Sequence, residues 1–349
     1  MSERSLADSF RRLIAATGPI SLAQFMGESN ARYYAGKDPL GAAGDFVTAP
    51  EISQMFGELV GLWLADMWDR AGRPAKVLYV ELGPGRGTLA SDALRAMRQA
   101  GLEPEMHFVE GSPPLRQAQV GGVPQAQFHD DLATLPDGAP LLLVANEFLD
   151  ALPVRQLVQT GAGWREVMVA ADDAGQFVLG AGERPMDAAV PEVRRAADEG
   201  TVIETCPGAA TVVGEVAARL ARQGGAALFI DYGHAAPRSG STLQAVRAHR
   251  TVDPLASPGE ADLTAHVDFA TLAELAETHG ATWLGTVTQG DWLQALGIAD
   301  RARALAERAP QQQEALVRAV ERLTGSDQMG QLFKVMGLTA PVWPEGAGF

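Results

Sequence analysis

The feature that most constrains the fold of this chain is the alternation, from residue 76 onward, of short strand-like runs with amphipathic segments. The strand-like runs are KVLYVEL, MHFVEG, AQFHDDL, PLLLVANE and AALFIDYG, and helical stretches such as TLASDALRAMRQAG separate them. Near-continuous apolar strands that alternate with helices are typical of a parallel sheet covered on both faces. The sequence therefore predicts a Rossmann-like, doubly wound α/β fold.

Helical patterns precede this alternation. Residues 5–16 and 51–70 space their apolar positions at three and four, as amphipathic helices do. The segment YYAGKDPLGAAGDFVTAPE between them has the composition of a long ordered loop, and such loops often have a function. We expect residues 1–75 to form an N-terminal helical cap with a loop that covers a cofactor, and residues 76–349 to form the core.

Two insertions into that core are also predicted. Residues 155–180 contain strand-like pieces divided by glycine turns, which indicates an antiparallel insertion near 155–200. Residues 300–323 are strongly helical, which indicates a helical insertion near 291–325. The segment that follows residue 235 has the pattern of an irregular excursion.

Charge and composition exclude several classes of protein. The net charge of −15 repels phosphate backbones, so we expect no nucleic-acid partner. No run reaches the roughly 18 consecutive apolar residues of a membrane span, so we expect no membrane insertion. The single cysteine, Cys206, suits a reducing compartment, and the early acidic residues Glu3 and Asp8 are unlike secretory or transit signals. A cytoplasmic location is the expectation.

The loop ELGPGRGTL, residues 81–89, predicts a nucleotide site because it follows the apolar run VLYV and places Gly83, Gly85 and Gly87 at alternate positions. A dinucleotide would place its pyrophosphate on the following helix N-terminus, where Glu81 would oppose it. S-adenosylmethionine instead carries an ammonium and a sulfonium that Glu81 could stabilise. Arg86 could reach a phosphate or equally the methionyl carboxylate. The acid favours the methyl donor, with a dinucleotide or a structural turn as alternatives.

Acids that follow the next two strands are candidates for the rest of the cofactor. Glu110 ends MHFVEG, where such folds place an acid that accepts both ribose hydroxyls. Asp130 and Asp131 follow the third strand, where an acid can accept a hydrogen bond from the adenine amino group. A solvated strand end for Glu110 and a helix N-cap for the aspartates are the structural alternatives.

Polar residues beyond the fourth strand are candidates for catalysis. Asn146, Glu147 and Asp150 follow the apolar run LLLVA, and ligands of open α/β sheets bind at the carboxyl ends of strands. If the acceptor is a guanidinium, Glu147 and Asp150 could hold the planar cation and receive the proton lost on methylation. The alternative is that Asn146 and Glu147 cap the next turn while Asp150 is solvated.

Seven motifs, in this order along the chain, carry a resemblance to a known family: YYAGKDPLGAAGDFVTAPEISQMFGE, ELGPGRGTL, ANEFLDALPVRQ, IDYGH, PGEADLTAHVDF, TQGDWLQALGI and MGQLFKV. With them the chain resembles the MidA-like family of S-adenosylmethionine-dependent methyltransferases. The family includes a mitochondrial arginine methyltransferase that serves in complex I assembly. The resemblance implies a class I methyltransferase sheet and S-adenosyl-L-methionine as cofactor. It also implies a protein substrate, namely an arginine of a respiratory complex I subunit or a similar protein.

The resemblance also implies roles for particular residues. The three glycines would take the donor, Glu110 its ribose, and Asn146 with Glu147 would border the methyl group. Phe46 and Thr48, in GDFVTAPE, would close a loop over the cofactor.

Two other functions remain alternatives: a catalytically vestigial chaperone for assembly of a respiratory complex, and a nicotinamide-dependent oxidoreductase. The spacing of His249, His266 and Asp268 matches no metal motif, and Cys206 has no neighbouring base, so we expect neither a metal site nor a nucleophilic cysteine. The sequence leaves a homodimer open.

Overall fold

The computed structural model describes residues 5–36, 47–247 and 250–349. The helices of this part of the chain are α1 (Leu6–Thr17), α2 (Leu22–Gly36), α3 (Ala49–Ile52), α4 (Gln54–Arg70), α5 (Thr88–Gln99), α6 (Pro113–Gly122), α7 (Pro207–Gln223), α8 (Phe269–Thr278), α9 (Gln289–Ala295), α10 (Ile298–Arg308), α11 (Gln313–Thr324) and α12 (Met329–Leu332). None of them combines the length and apolar character that a membrane span needs.

The strands of the same ranges are β1 (Ile20–Ser21), β2 (Leu78–Leu82), β3 (Glu105–Val109), β4 (Gln127–His129), β5 (Leu141–Asn146), β6 (Arg155–Thr160), β7 (Gly163–Ala171), β8 (Phe177–Pro185), β9 (Val202–Thr205), β10 (Gly225–His234), β11 (Gln244–Arg247), β12 (Arg250–Val252), β13 (Asp262–Thr264), β14 (Val267–Asp268), β15 (Thr282–Thr288) and β16 (Phe333–Thr339).

These elements form two compact units, each made of separate chain segments. The smaller unit contains the described residues of 1–37, 150–209 and 237–266, and the larger unit contains those of 38–149, 210–236 and 267–349. The units cut across the division predicted at residue 75, because the smaller unit collects its segments from three places along the chain. The predicted domain division stays a prediction.

The larger unit is built on one sheet with the strand order β15-β16-β10-β5-β2-β3-β4, and β14 pairs in parallel with the end of β10. Strands β4, β3, β2, β5 and β10 pair in parallel, whereas β16 runs antiparallel between β10 and β15. The predicted α/β sheet with parallel central strands is thus confirmed. The parallel register brings the carboxyl ends of β2, β3 and β5 to one edge.

Burial explains why these segments are strands. Every residue of β2 and β5 is buried, which is the pattern of parallel strands covered on both faces. On one face Tyr79 and Val144 share a core with Phe56 and Trp63 of α4 and Met97 of α5, all nearly inaccessible to solvent. This core fixes the sheet whose edge carries the candidate site.

The smaller unit contains antiparallel sheets. One has the strand order β1-β7-β6-β9 with β8 paired to β7, and the other has the order β12-β11-β13. Its core includes Phe10 and Phe25, stacked with ring centroids 4.9 Å apart, and Phe177, which meets Phe25 edge-on at 5.5 Å. Aromatic pairs of this geometry are favourable beyond the area they bury.

Some local predictions were wrong. The segment after residue 235 is not wholly irregular, because β11, β12 and β13 form a small sheet; strands of three or four residues give little periodic signal. The predicted helix 300–323 is divided into α10 and α11 by a short 3₁₀ turn that begins at Pro310, whose ring cannot sit inside a helix without removing a hydrogen bond.

Candidate active site

The candidate site lies at the carboxyl edge of the parallel strands in the larger unit. Backbone hydrogen bonds continue the ladder just past the strand ends: Gly83 N–H donates to the Val109 carbonyl at 3.0 Å, and Glu147 N–H to that of Ile230 at 2.9 Å. Glu110 N–H likewise donates to the carbonyl of His129 at 3.1 Å. The segments predicted from sequence to carry the site therefore leave adjacent strands at the same edge.

The glycine loop requires backbone conformations that side chains disfavour. Gly83, Gly85 and Gly87 have φ values of +60°, +55° and +79°. A Cβ on Gly83 would also approach the ring of Phe148 to 2.8 Å. Left-handed glycines let a backbone approach a ligand closely, and Gly87 is also the N-cap of α5.

Glu81 is a buried acid at the end of β2. Burial raises the pKa of its carboxyl to about 7, although the hydroxyl of Tyr79, which donates to Oε2 at 2.5 Å, acts in the opposite direction. Desolvation disfavours the ionised form, and a nearby cation would restore it. The geometry therefore suits the predicted role of Glu81 beside a cationic ligand, and that role stays a prediction.

Glu110 is held in place from two sides. Its Oε1 accepts from Ser112 N–H at 2.7 Å, and its Oε2 accepts from Gln119 Nε2 at 3.2 Å. Burial raises the pKa of the carboxyl despite these hydrogen bonds. Gln119 Nε2 also donates to the Gly85 carbonyl at 2.7 Å. Gln119 therefore connects the glycine loop to Glu110, the residue predicted to bind the ribose. Sequence reasoning missed Gln119, because a glutamine within α6 has no motif to mark it.

The two aspartates after β4 differ in their surroundings. The Asp130 side chain is 85% exposed and pairs with Arg116 Nη2 at 2.5 Å. Asp131 caps the 3₁₀ turn Leu132–Thr134, where its Oδ1 accepts from Thr134 N–H at 3.2 Å. This cap is the structural alternative noted for Asp131, and contact with adenine stays a prediction for both residues.

Glu147 has an unusual backbone for a residue with a side chain, since its φ is +52°. Outliers of this kind cluster at functional sites, where surrounding contacts hold the strain. Its Oε1 accepts from Asn146 Nδ2 and from Ala49 N–H, each at 3.1 Å. Ala49 begins α3, so the carboxylate links the strand end to the segment that contains Thr48, the N-cap of that helix. Phe46 lies outside the described residues.

Asp231 supports the strained turn and was not among the predicted site residues. It is buried at the end of β10, where its Oδ2 accepts from the N–H groups of Phe148 at 3.1 Å and Leu149 at 2.9 Å. Its Oδ1 accepts from Tyr232 N–H at 2.9 Å. Its motif IDYGH was visible in the sequence, but the hydrogen bonds to a distant turn were not.

Asp150 belongs to the smaller unit, whereas Glu147 belongs to the larger one. Burial raises the pKa of the Asp150 carboxyl to about 7. Its backbone carbonyl accepts from Ala265 N–H at 3.0 Å, and its charge contributes to raising the pKa of Tyr34. Asp150 is therefore not a solvated side chain, and its convergence with Glu147 stays a prediction.

Comparisons with known proteins agree with this geometry. Residues 59–287 match a family of S-adenosyl-L-methionine-dependent methyltransferases. A mitochondrial protein arginine methyltransferase NDUFAF7 homolog of Drosophila melanogaster is 39% identical over 96% of this chain and 84% of its own length. The NDUFAF7 protein of Homo sapiens is 35% identical, with 93% and 81% covered. This chain belongs to the MidA-like methyltransferases.

Solved structures support the same assignment. A protein from Burkholderia thailandensis that was crystallised with S-adenosyl-homocysteine is 34% identical, with a TM-score of 0.85 over 97% of this chain and 92% of its own. A native crystal structure from the same organism has 33% identity and a TM-score of 0.83, with 98% and 95% covered. The class I methyltransferase fold and the methyltransferase activity are thereby established, and S-adenosyl-L-methionine is the cofactor.

The residues at the sheet edge fit this cofactor. Among the described residues, no hydrogen-bond partner reaches the buried oxygens Gln119 Oε1, Asn146 Oδ1 and Glu51 Oε2. Buried acceptors without donors are unfavourable, and S-adenosyl-L-methionine offers hydroxyl, amino and ammonium donors. Together with the left-handed glycines, these acceptors make the larger unit suitable for the donor.

The expected cytoplasmic location is wrong. The curated relatives are named as mitochondrial proteins, which contradicts that expectation. The expectation was based on the single cysteine and on the N-terminal composition, and neither of them identifies a compartment.

The structure describes Cys206, for which no nucleophilic role is expected. The thiol of Cys206 lies 3.5 Å from the Pro153 carbonyl, and burial raises its pKa, which suits a packed thiol rather than a nucleophile. His249 is outside the described residues. Within the ranges that the structure describes, no three His, Cys, Asp or Glu side chains are grouped to hold a metal ion.

Proposed function

We propose that this enzyme methylates an arginine side chain of a protein. The observation that carries the proposal is the similarity to relatives named protein arginine methyltransferases, which extends over 96% of this chain for the Drosophila melanogaster protein and 93% for the Homo sapiens protein. The position of Glu147 at the sheet edge agrees with it, because a guanidinium needs a fixed anionic partner.

S-adenosyl-L-methionine, when bound, supplies a methyl group on a positively charged sulfur. In the transfer the bond from the methyl carbon to sulfur breaks as the bond to a guanidinium nitrogen forms, and that nitrogen loses a proton. Arginine does not deprotonate in water at ordinary pH, so the protein must orient the guanidinium and localise its charge.

Glu147 is suited to that orienting role. Donation from Asn146 Nδ2 and Ala49 N–H to the same oxygen, each at 3.1 Å, holds the carboxylate in one orientation. We propose that Glu147 accepts hydrogen bonds from the guanidinium and that the proton leaves by way of this carboxylate or of water. Asp150 is proposed as a second carboxylate, and its raised pKa would let it accept a proton near neutral pH.

The net charge of −15 favours a substrate segment rich in basic residues. We propose a subunit of respiratory complex I as the physiological substrate, since the resemblance noted from the sequence motifs implies one. A homodimer also stays a prediction, which light scattering of the purified protein would test.

Mass spectrometry of the respiratory complex from cells with and without this gene tests the substrate proposal. We expect one subunit to lose the mass of one or two methyl groups in the deletion strain, at a peptide that contains arginine. Purified enzyme with methyl-deuterated donor should restore the modification in deuterated form on that peptide. If the restored label lies on a residue other than arginine, the arginine proposal is wrong, and the methyltransferase assignment stands.

A further inference from the structure

Glu51 and Arg86 form an ion pair at the glycine loop. The sequence analysis assigns no role to Glu51 and leaves Arg86 with either a phosphate or the methionyl carboxylate. Arg86 Nη1 lies 3.8 Å from Glu51 Oε1, and the side chains are 41% and 13% exposed. That distance exceeds the length of a hydrogen bond. The two charges are therefore close without being joined by a direct hydrogen bond at these atoms.

The second oxygen of Glu51 indicates a ligand. Glu51 Oε2 is buried, and among the described residues no donor reaches it. A buried carboxylate oxygen without a donor is unfavourable unless a ligand supplies one. Glu81 is the other acid predicted to lie near the cationic end of the donor. Its Oε2 already accepts a hydrogen bond from the Tyr79 hydroxyl, whereas Glu51 Oε2 has no donor among the described residues.

The position of the pair connects it to the donor. Arg86 lies between Gly85 and Gly87, whose left-handed backbones form the loop. Glu51 is in α3, and the first residue of that helix, Ala49, donates to Glu147 at 3.1 Å. The glycine loop and Glu147 are thus both in contact with α3, which places Glu51 beside the loop expected to receive the methionyl end.

An amino-acid end carries an ammonium and a carboxylate a few bonds apart, and a paired acid and base complement both charges. We propose that Glu51 accepts hydrogen bonds from the ammonium of S-adenosyl-L-methionine and that Arg86 binds its carboxylate. Each side chain makes charge-assisted hydrogen bonds with the oppositely charged group of the bound ligand. The proposal concerns the established cofactor and does not depend on the identity of the acceptor.

Calorimetry with three ligands tests each half of the pair. S-adenosyl-homocysteine has both charged groups, decarboxylated S-adenosylmethionine has the amine without the carboxylate, and 5′-methylthioadenosine has neither. Glu51→Gln should weaken the first two ligands by about 10-fold or more and leave the third unchanged. Arg86→Gln should weaken only S-adenosyl-homocysteine by a similar factor, and Arg86→Lys should recover part of the loss.

The exposed pair Glu314 and Arg318, whose charged atoms are 3.5 Å apart in α11, provides the matched controls. Glu314→Gln and Arg318→Gln should leave all three affinities unchanged. Thermal unfolding of each variant establishes that it is folded before titration.

Several outcomes would overturn the proposal. Unchanged S-adenosyl-homocysteine affinity in folded Glu51→Gln excludes the ammonium contact. An equal loss for 5′-methylthioadenosine means that the substitution distorts the loop rather than removing a ligand contact. If Glu51→Gln instead raises only the KM for a protein acceptor, then Glu51 contacts the substrate guanidinium and not the donor.

Discussion

At the scale of single residues, the candidate site is marked by backbone strain and by buried acids. The three loop glycines and Glu147 all have positive φ, but only Glu147 has a side chain that makes this conformation unfavourable. Glu81, Glu110 and Asp150 are all buried, and burial raises the pKa of each. Strained backbone and desolvated carboxyls are features that folding stability alone does not favour.

Gly85→Val should abolish cofactor binding, because a β-branched residue at φ +55° is strained and its side chain obstructs the loop. Calorimetry with S-adenosyl-homocysteine measures the loss. Gly180→Val, in β8 with open space around its Cβ, is the control and should bind normally. If the protein were a catalytically vestigial chaperone, cells that carry Gly85→Val would still assemble the respiratory complex. An assembly defect in these cells would contradict that alternative.

Glu81 should make both stability and donor affinity depend on pH. Its pKa rises from 4.5 in the unfolded chain to about 7 in the fold, so ionisation destabilises the native state as pH increases through this window. Glu81→Gln should therefore raise the free energy of unfolding above pH 7, by at most about 3 kcal/mol, and the gain should vanish toward pH 4.5. Denaturant titrations of both proteins across this pH range measure the difference.

The same substitution should weaken S-adenosyl-homocysteine binding. In the unsubstituted enzyme, affinity should increase as pH rises through about 7, since the positive charge of the ligand's ammonium, which we propose to be bound by Glu51, also favours the ionised form of Glu81. A pH-independent affinity, or a variant that gains stability equally at all pH values, would contradict this assignment.

At the scale of elements, neighbouring segments hold the site in place through side chains that bond to backbone groups. Asp231 of β10 fixes the turn after β5, and Gln119 of α6 fixes the loop after β2. Each hydrogen bond crosses between segments far apart in the chain. The conformation of one site loop therefore depends on a strand or helix beside it.

Asp231→Asn should lower kcat more than it weakens cofactor binding. An asparagine has one acceptor oxygen and cannot accept from both Tyr232 and the Phe148–Leu149 turn, so the orientation of Glu147 should relax. We expect a fall in kcat of about 10-fold or more with a small change in S-adenosyl-homocysteine affinity.

Asp268→Asn, which alters the N-cap of α8, is the control and should affect stability without affecting kcat. Equal losses in kcat and affinity for Asp231→Asn would show a general disruption of the site.

Glu58 links three helices of the larger unit. Arg301 of α10 donates to both its oxygens at 2.8 and 2.9 Å, and Arg95 of α5 donates at 3.1 Å. Burial alone would raise the pKa of Glu58, but the hydrogen bonds and charges of these arginines lower it. Its contribution to stability is present above its unfolded pKa and is lost as pH falls through the folded value.

Glu58→Ala should lower the free energy of unfolding by about 2 kcal/mol at pH 7, because Arg301 and Arg95 lose charge-assisted hydrogen bonds to a buried carboxylate, while both arginines stay partly exposed to water and Arg95 keeps its ion pair with Asp92. Glu314→Ala, at the exposed pair with Arg318, should change it by at most about 0.5 kcal/mol. Urea titration measures both. If Glu58→Ala lowers the free energy of unfolding by no more than the control does, the ion pairs of Glu58 do not stabilise the fold.

At the scale of the whole molecule, the chain enters the smaller unit directly after the site turn. Leu149 belongs to the larger unit and Asp150 to the smaller one, and the chain returns after Ala209. The sequence predicted an antiparallel insertion near 155–200, and it placed the N-terminal segment in a helical cap and residues 237–266 in the core. The smaller unit's core joins Phe10 and Phe25 to Phe177, a grouping that no local pattern shows.

The sequence by itself determined the α/β sheet and the cofactor class, and it predicted the segments of the candidate site. Strand burial and left-handed glycines are local requirements, so they appear as apolar runs and as GPGRG. Tertiary structure alone decided that Asp231 and Gln119 hold the site loops, that Glu51 faces Arg86, and that Asp150 lies in the other unit. Those facts depend on contacts between distant segments, and the periodicity of a single strand or helix carries no information about its tertiary neighbours.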